Sequence, residues 1–316
     1  MRRFSSAGLA GFMLVSVCCS QALADEPTDP EPTSEVLDAT RRSVRSSAEW
    51  LARGVDGWFG EKPFAEGGKV SDGRLSVNLL AREHEGTSFG LRFNARMRLP
   101  NVQERAYLFL GSDDRRELVA DKPDALSHQQ QLLKDNRDEQ SFFAGLGFFV
   151  KDSVQLRLGL RGGLKPYAQA RYVRPWRLGE ADLLEFRETL FWALDDRFGS
   201  TTAVSYEHAL SSTLALRWLS SATISQRSKK FDWSSGLGAY KLMGAQRLLS
   251  IEALFNGTEG DGPGASDYGL QLKWEQPIHK DWLLGELIWG HFWPRPEAHS
   301  ERGHAWAIGL GLKMKF

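Results

Sequence analysis

The sequence predicts an all-β chain folded as a transmembrane up-and-down antiparallel barrel. Three observations predict it: long segments of strict two-residue alternation, short links between successive segments, and tryptophans near segment ends. Phe89, Leu91, Phe93, Ala95, Met97 and Leu99 alternate with Gly90, Arg92, Asn94, Arg96 and Arg98. Val154, Leu156, Leu158 and Leu160 alternate with Gln155, Arg157, Gly159 and Arg161, and Tyr268 to Glu275 repeats the pattern. Side chains on a strand point to opposite faces in turn, so one face of each segment is apolar and the other polar. A soluble sandwich shows the same period. The connections Lys151-Asp152-Ser153 and Gly162-Gly163, and Trp218, Trp233, Trp274, Trp282, Trp289 and Trp293 near strand ends, favour a barrel in a membrane.

The elements follow in order. Residues 1–24 read as a signal peptide: Arg2 and Arg3, an uncharged apolar stretch from Ala7 to Cys19, then Ala22-Leu23-Ala24 as the small-residue cleavage site. The stretch is too short to cross a bilayer as a helix. Acylation at Cys18 is disfavoured by the bulky Val17 before it. Both cysteines, Cys18 and Cys19, leave with this segment, so the exported chain has neither disulfide nor thiol chemistry. It also loses two of its 40 basic residues and none of its 40 acids, leaving a formal charge of −2. That balance gives no sign of nucleic acid as a partner.

Residues 25–33 form an acidic, proline-rich linker without a folding signal. Residues 34–60 read as an amphipathic helix on the periplasmic side, with Leu37, Val44, Ala48, Leu51 and Val55 as its stripe and Gly57 and Gly60 ending it. Such a stripe fits a helix packed on the main domain. It also fits a plug or a membrane-surface helix. The barrel then spans residues 73–316. Alternation marks about 14 strands, near 73–82, 88–99, 104–111, 141–151, 154–163, 166–175, 182–194, 200–209, 213–225, 232–243, 247–256, 266–275, 282–293 and 304–316. Twelve strands follow if a weak pair such as 104–111 or 232–243 is lost.

The last strand alternates into a terminal aromatic, Gly309-Leu310-Gly311-Leu312-Lys313-Met314-Lys315-Phe316. With the strand pattern before it, this resembles the outer-membrane β-barrel class of Gram-negative bacteria, over residues 73–316. The resemblance implies that Phe316 belongs to a C-terminal signal read by the barrel-assembly machinery, and that the chain resides among outer-membrane lipid and lipopolysaccharide. It is a resemblance to the class, without a family motif. An even strand count places both chain ends on the periplasmic side. Residues 101–103, 151–153 and 209–212 become periplasmic turns, and 112–140, 256–265 and 294–303 become outer loops.

Parity then sorts the charges. The inward faces of the first six strands carry a basic wall: Arg74, Arg82, Arg92, Arg96, Arg98, Arg157, Arg161 and Arg171. Later strands carry five inward carboxylates, Glu185, Glu207, Glu252, Glu275 and Glu286, among five bases. A wall of permanently charged guanidiniums attracts carboxylates and phosphates, which suggests a narrow channel or binding protein for small anionic or polar solutes. The competing expectation is a closed lumen, in which the arginines pair with the glutamates or with loop 112–140. That loop holds eight acids, Asp121 among them, against five bases, and fits a short helix around Ala125 to Leu133. Glu188 has the parity of the lipid face, where a charge costs up to about 2 kcal/mol or more, so a bulge is expected near it.

Enzymatic chemistry has thinner support. His84, His291 and His304 are candidate metal ligands at the outer rim, with His299 and Glu301 nearby, but their spacing is not that of a ligand set. Ser205 and His208 face opposite sides of one strand. The sequence therefore implies no catalytic residue and no cofactor. Two alternatives remain: an outer-membrane barrel enzyme acting on lipid or using a rim metal, and a closed structural barrel that docks a periplasmic partner through its N-terminal helix.

Overall fold

In the computed structural model the described residues are 32–56, 69–83, 86–99, 105–126, 140–244, 246–259, 266–295 and 303–316. The expected signal peptide and nearly all of the linker lie outside them. Helix α1 runs Pro32–Asp56, and fourteen strands follow. They are β1 Lys69–Arg82, β2 Gly86–Arg98, β3 Ala106–Asp114, β4 Gln140–Lys151, β5 Val154–Arg161, β6 Lys165–Arg177 and β7 Asp182–Ala193. The second half holds β8 Arg197–Ser211, β9 Leu214–Ser225, β10 Asp232–Leu242, β11 Leu248–Thr258, β12 Asp267–His279, β13 Leu283–Pro294 and β14 Ala305–Lys315. Between β3 and β4 lie the short helix α2, Arg115–Ala120, and a 3-10 turn at Asp124–Leu126.

Each strand pairs antiparallel with its neighbours in sequence, and β1 pairs with β14, which closes the sheet. Closure gives every strand a partner on both sides, as a bilayer without water for backbone groups demands, although β2 and β3 meet only over Asn94–Arg98 and Tyr107–Gly111. The outward positions carry large apolar side chains such as Leu91, Leu158, Leu190, Ile251, Leu272 and Ile308, all well exposed. No described helix is long and apolar enough to cross a membrane. The crossing is made by strands.

Four register shifts interrupt the ladders, at Val70/Asp72, Phe149/Lys151, Ala209/Ser211 and Pro277/His279. All four fall at the end of the barrel that carries α1 and the C-terminus. The position suits Pro277, since a bulge tolerates a residue without an N–H. The bulge expected near Glu188 is not there: its pairing with Tyr172 and with Thr202 runs without a shift. Glu188 therefore does face outward. The neighbouring strand supplies the compensation, because the Ser200 and Thr202 hydroxyls both donate to its carboxylate, Thr202 at 2.6 Å.

Helix α1 packs where outward residues of β1, β2, β13 and β14 meet at one rim of the barrel. Ala48 is buried in one cluster with Val70, Ala95, Met97, Leu283, Met314 and Phe316, and Leu37 and Val44 pack against it. Two polar latches hold the same face. Arg41 Nε donates to the Lys315 carbonyl at 3.0 Å, and Lys280 Nζ donates to Asp38 at 2.6 Å. No described residue of α1 lines the lumen, which rules against a plug. The reason is chemical: the apolar stripe finds apolar partners on the barrel's outer face, whereas the bore is charged.

Candidate functional site: a divided, basic lumen

Part of the bore is filled. Inward aromatics Tyr107, Phe109, Phe143, Tyr167 and Phe191 form a buried cluster with Ala193. Their packing relies on glycine, since a Cβ on Gly147 would stand 2.1 Å from the Tyr107 ring. The loop between β3 and β4 completes this block by folding inward. Val119 of α2 is 1% exposed within it, and Leu126 reaches the β10–β11 wall beside Gly236 and Leu254. The inward fold of this loop is thus seen, but its helix is at Arg115–Ala120; most of the expected segment 125–133 lies outside the described residues.

The loop is tied down by its own backbone and by one carboxylate. Asp121 has a left-handed backbone (φ 56°), and Lys122 N–H donates to the Glu117 carbonyl, so the helix stops there in a turned cap. Gln169 Nε2 donates to the carbonyls of Leu118 and Val119 at 2.7 and 2.8 Å, satisfying groups that a helix end leaves unpaired. The Asp121 carboxylate accepts from Arg171 and from Thr189 Oγ1, the latter at 3.0 Å, and stands 3.6 Å from Arg157. Asp121 was visible in the sequence only as one acid among eight.

Beside this block the bore holds a polar cavity of about 700 Å³. Five of the eight wall arginines line it: Arg74, Arg92, Arg96, Arg157 and Arg171. Arg187, Arg217, Lys122, Lys313 and Lys315 join them, so ten bases face six acids, Asp72, Glu117, Asp121, Glu185, Glu207 and Glu275. Arg96 lies 4.6 Å over the Tyr107 ring, and Arg157 donates to the Tyr107 hydroxyl at 3.0 Å. The aromatic block therefore seats two of the cations that border the cavity.

The other three wall residues stand elsewhere. Arg161 is 2% exposed and ion-paired with Asp196 at 2.9 Å and Asp195 at 3.7 Å, so the turn between β7 and β8 has claimed it. Arg82 and Arg98 end β1 and β2 and are not among the lining residues. The carboxylates divide too. Glu185, Glu207 and Glu275 line the cavity. Glu252 accepts from Tyr240 and from Gln271 Nε2, and Glu286 sits between Lys273 and Lys313. Glu252 also stands 3.9 Å from Arg217, one of the bases that line the cavity.

Phe316 stacks on Phe93 with ring centroids 5.8 Å apart, and its N–H donates to the Gly73 carbonyl at 3.0 Å. Of the histidine candidates, His84 lies outside the described residues, as do His299 and Glu301. His291 is wedged edge-on between Trp293 and Trp306, with centroids at 4.4 and 4.1 Å, and stacks on His304 at 6.0 Å. Among the described residues no group of three or more His, Cys, Asp or Glu is placed to hold a metal ion.

No family model matches the chain, and no curated protein matches it. Solved structures share the architecture. The outer membrane channel DcaP of Acinetobacter baumannii is similar over 81% of this chain and 99% of its own, at 10% identity and a TM-score of 0.46. A loop-deletion mutant of OmpT from Vibrio cholerae covers 79% and 99%, at 10% identity and 0.44. The KdgM porin covers 77% and 99%, at 7% identity and 0.36. With its sheet closed on itself, its outer face apolar and its lumen polar, this chain has the fold of a transmembrane β-barrel.

Proposed function

We propose that this barrel is a narrow channel or binding protein for small anionic or polar solutes. The observation that carries the reading is the lining of the cavity, ten bases against six acids around a polar space of about 700 Å³. Low-dielectric walls of one prevailing sign concentrate the opposite ion. Arginine forks suit carboxylate and phosphate oxygens, and a space of this size accepts a small solute. The inward loop restricts the bore, so the reading is a selective, low-conductance path and not a wide one.

Planar-bilayer recordings of the refolded full chain test it. The expected result is a small, anion-selective conductance, with selectivity reduced when Arg92 and Arg96 are both changed to Gln. Cation selectivity, or a silent bilayer both for the parent chain and for a variant lacking the Asp121 carboxylate, removes the channel reading, and failure of the refolded chain to retain a small dicarboxylate or phosphate removes the binding one.

A further inference from the structure

The barrel's outer surface carries a feature that the lumen does not use. On the outer-leaflet half of β5–β9 there is an apolar groove of about 1140 Å³. Its shape follows from residue size across the registers. Ala168 and Ala170 of β6 lie between Leu158 and Leu156 on one side and Trp192 and Leu190 on the other. Small side chains between two large rows leave a slot running along the strand. A surface that meets only fluid lipid has no need of a slot.

The outer end of the groove is basic. Arg197 and Lys229 border it, both exposed and both on left-handed backbone (φ 58° and 50°). Among the described residues neither has a carboxylate within ion-pair distance. The nearby acids are already engaged: Asp195 and Asp196 pair with Arg161 and Lys165. Arg227 Nη1 donates to the Asp195 carbonyl at 3.3 Å, which ties the loop carrying Lys229 to the turn before Arg197. Glu188, one outward position below Leu190, keeps its carboxylate bonded to Ser200 and Thr202.

From this juxtaposition we propose that the groove is a specific site for a phosphorylated, multiply acylated lipid of the outer leaflet. Acyl chains lie in the slot over β6, and a headgroup phosphate sits between Arg197 and Lys229. The vertical order of the parts, apolar below and cationic above, matches the order of such a lipid in the membrane. Charge complementarity selects it over a neutral lipid, which would leave two exposed cations at headgroup level without a partner.

The test uses the full chain in detergent and native mass spectrometry. The probes are a bis-phosphorylated hexa-acyl glycolipid, the same lipid without its phosphates, and inorganic phosphate alone. The parent chain is expected to retain the phosphorylated glycolipid and to release the phosphate-free form. Reversing both charges, Arg197→Glu with Lys229→Glu, weakens retention roughly thirtyfold. Ala168→Phe fills the slot and lowers retention with the charges intact. Heat-modifiable gel mobility reports folding of each variant, and bilayer conductance, set by the lumen, stays unchanged. Equal retention by the charge-reversed variant overturns the proposal, as does binding of phosphate alone with the same affinity. A parent chain that self-associates through this face, takes up no glycolipid and becomes monomeric with Ala168→Phe assigns the groove to a second copy and overturns it equally.

Discussion

Asp121 and Arg171 form an ion pair that joins the inward loop to the barrel wall, on a carboxylate that also accepts from Thr189 and lies near Arg157. One acid therefore meets two of the arginines that border the cavity, and it holds in place the segment that narrows the bore.

Removing that acid has two effects. In Asp121→Ala the partly buried guanidinium of Arg171 loses its counter-charge, a change that costs about 3–5 kcal/mol when such a pair is broken on one side. The loop's tether is lost with it. Unfolding in denaturant at a lower midpoint, together with a larger single-channel conductance, is the expected pair of results. A lower midpoint with unchanged conductance would place the loop outside the permeation path.

Gly73 and Phe316 make the seam. A Cβ on Gly73 would lie 2.5 Å from the Phe316 ring, so Gly73→Val displaces the aromatic from the place where β1, β14 and α1 meet. Phe316→Ala empties the same place, at roughly 3–5 kcal/mol for a buried Phe. Both changes should lower the yield of heat-modifiable barrel on refolding into vesicles. Loss of assembly in cells with normal refolding in vitro would instead isolate recognition of the terminal residue by the assembly machinery.

The latch between α1 and the β12–β13 turn depends on pH. Asp38 is held below the usual carboxylate range, first by the hydrogen bond from Lys280, against partial desolvation, and then by the charges of Lys280, His279 and Arg42. A depressed folded-state pKa stabilises docking at pH values above about 4, where the free carboxylate is ionised. The contribution fades as pH falls through the lowered value. Protease cleavage of α1 should therefore accelerate as the pH falls below about 4, when measured with an acid-active protease. Asp38→Asn should show the faster rate at neutral pH as well.

Glu188 reports on what covers the outer face. Against lipid its charge is costly, so Glu188→Gln, which keeps an acceptor for Ser200 and Thr202, should raise unfolding stability by about 1 kcal/mol or more. Measurement in vesicles decides the point. A loss of stability would mean that the carboxylate has a polar partner in the membrane.

Much of this architecture was legible in the chain. Fourteen alternating segments appear as fourteen strands because a period of two is fixed by backbone geometry and survives any tertiary context. The same parity assigned Arg92, Arg96 and Arg157 to the bore and Glu188 to the outer face, against the expectation of a rescuing bulge. Parity says nothing about distance along a strand, however. It could not separate Arg161, which is claimed by the turn aspartates, from Arg171, which borders the cavity.

What the sequence determined by itself was therefore the barrel and the two chemical faces of each strand, because these follow from local alternation. The tertiary structure alone decided which charges meet. Asp121 reaches Arg171 across 50 residues because the loop turns inward, α1 lies on the rim because its stripe matches the outer face, and a groove exists because Ala168 and Ala170 fall between larger neighbours. Each of these is a contact between residues distant in sequence, set by register and loop path, and those are properties of the closed sheet.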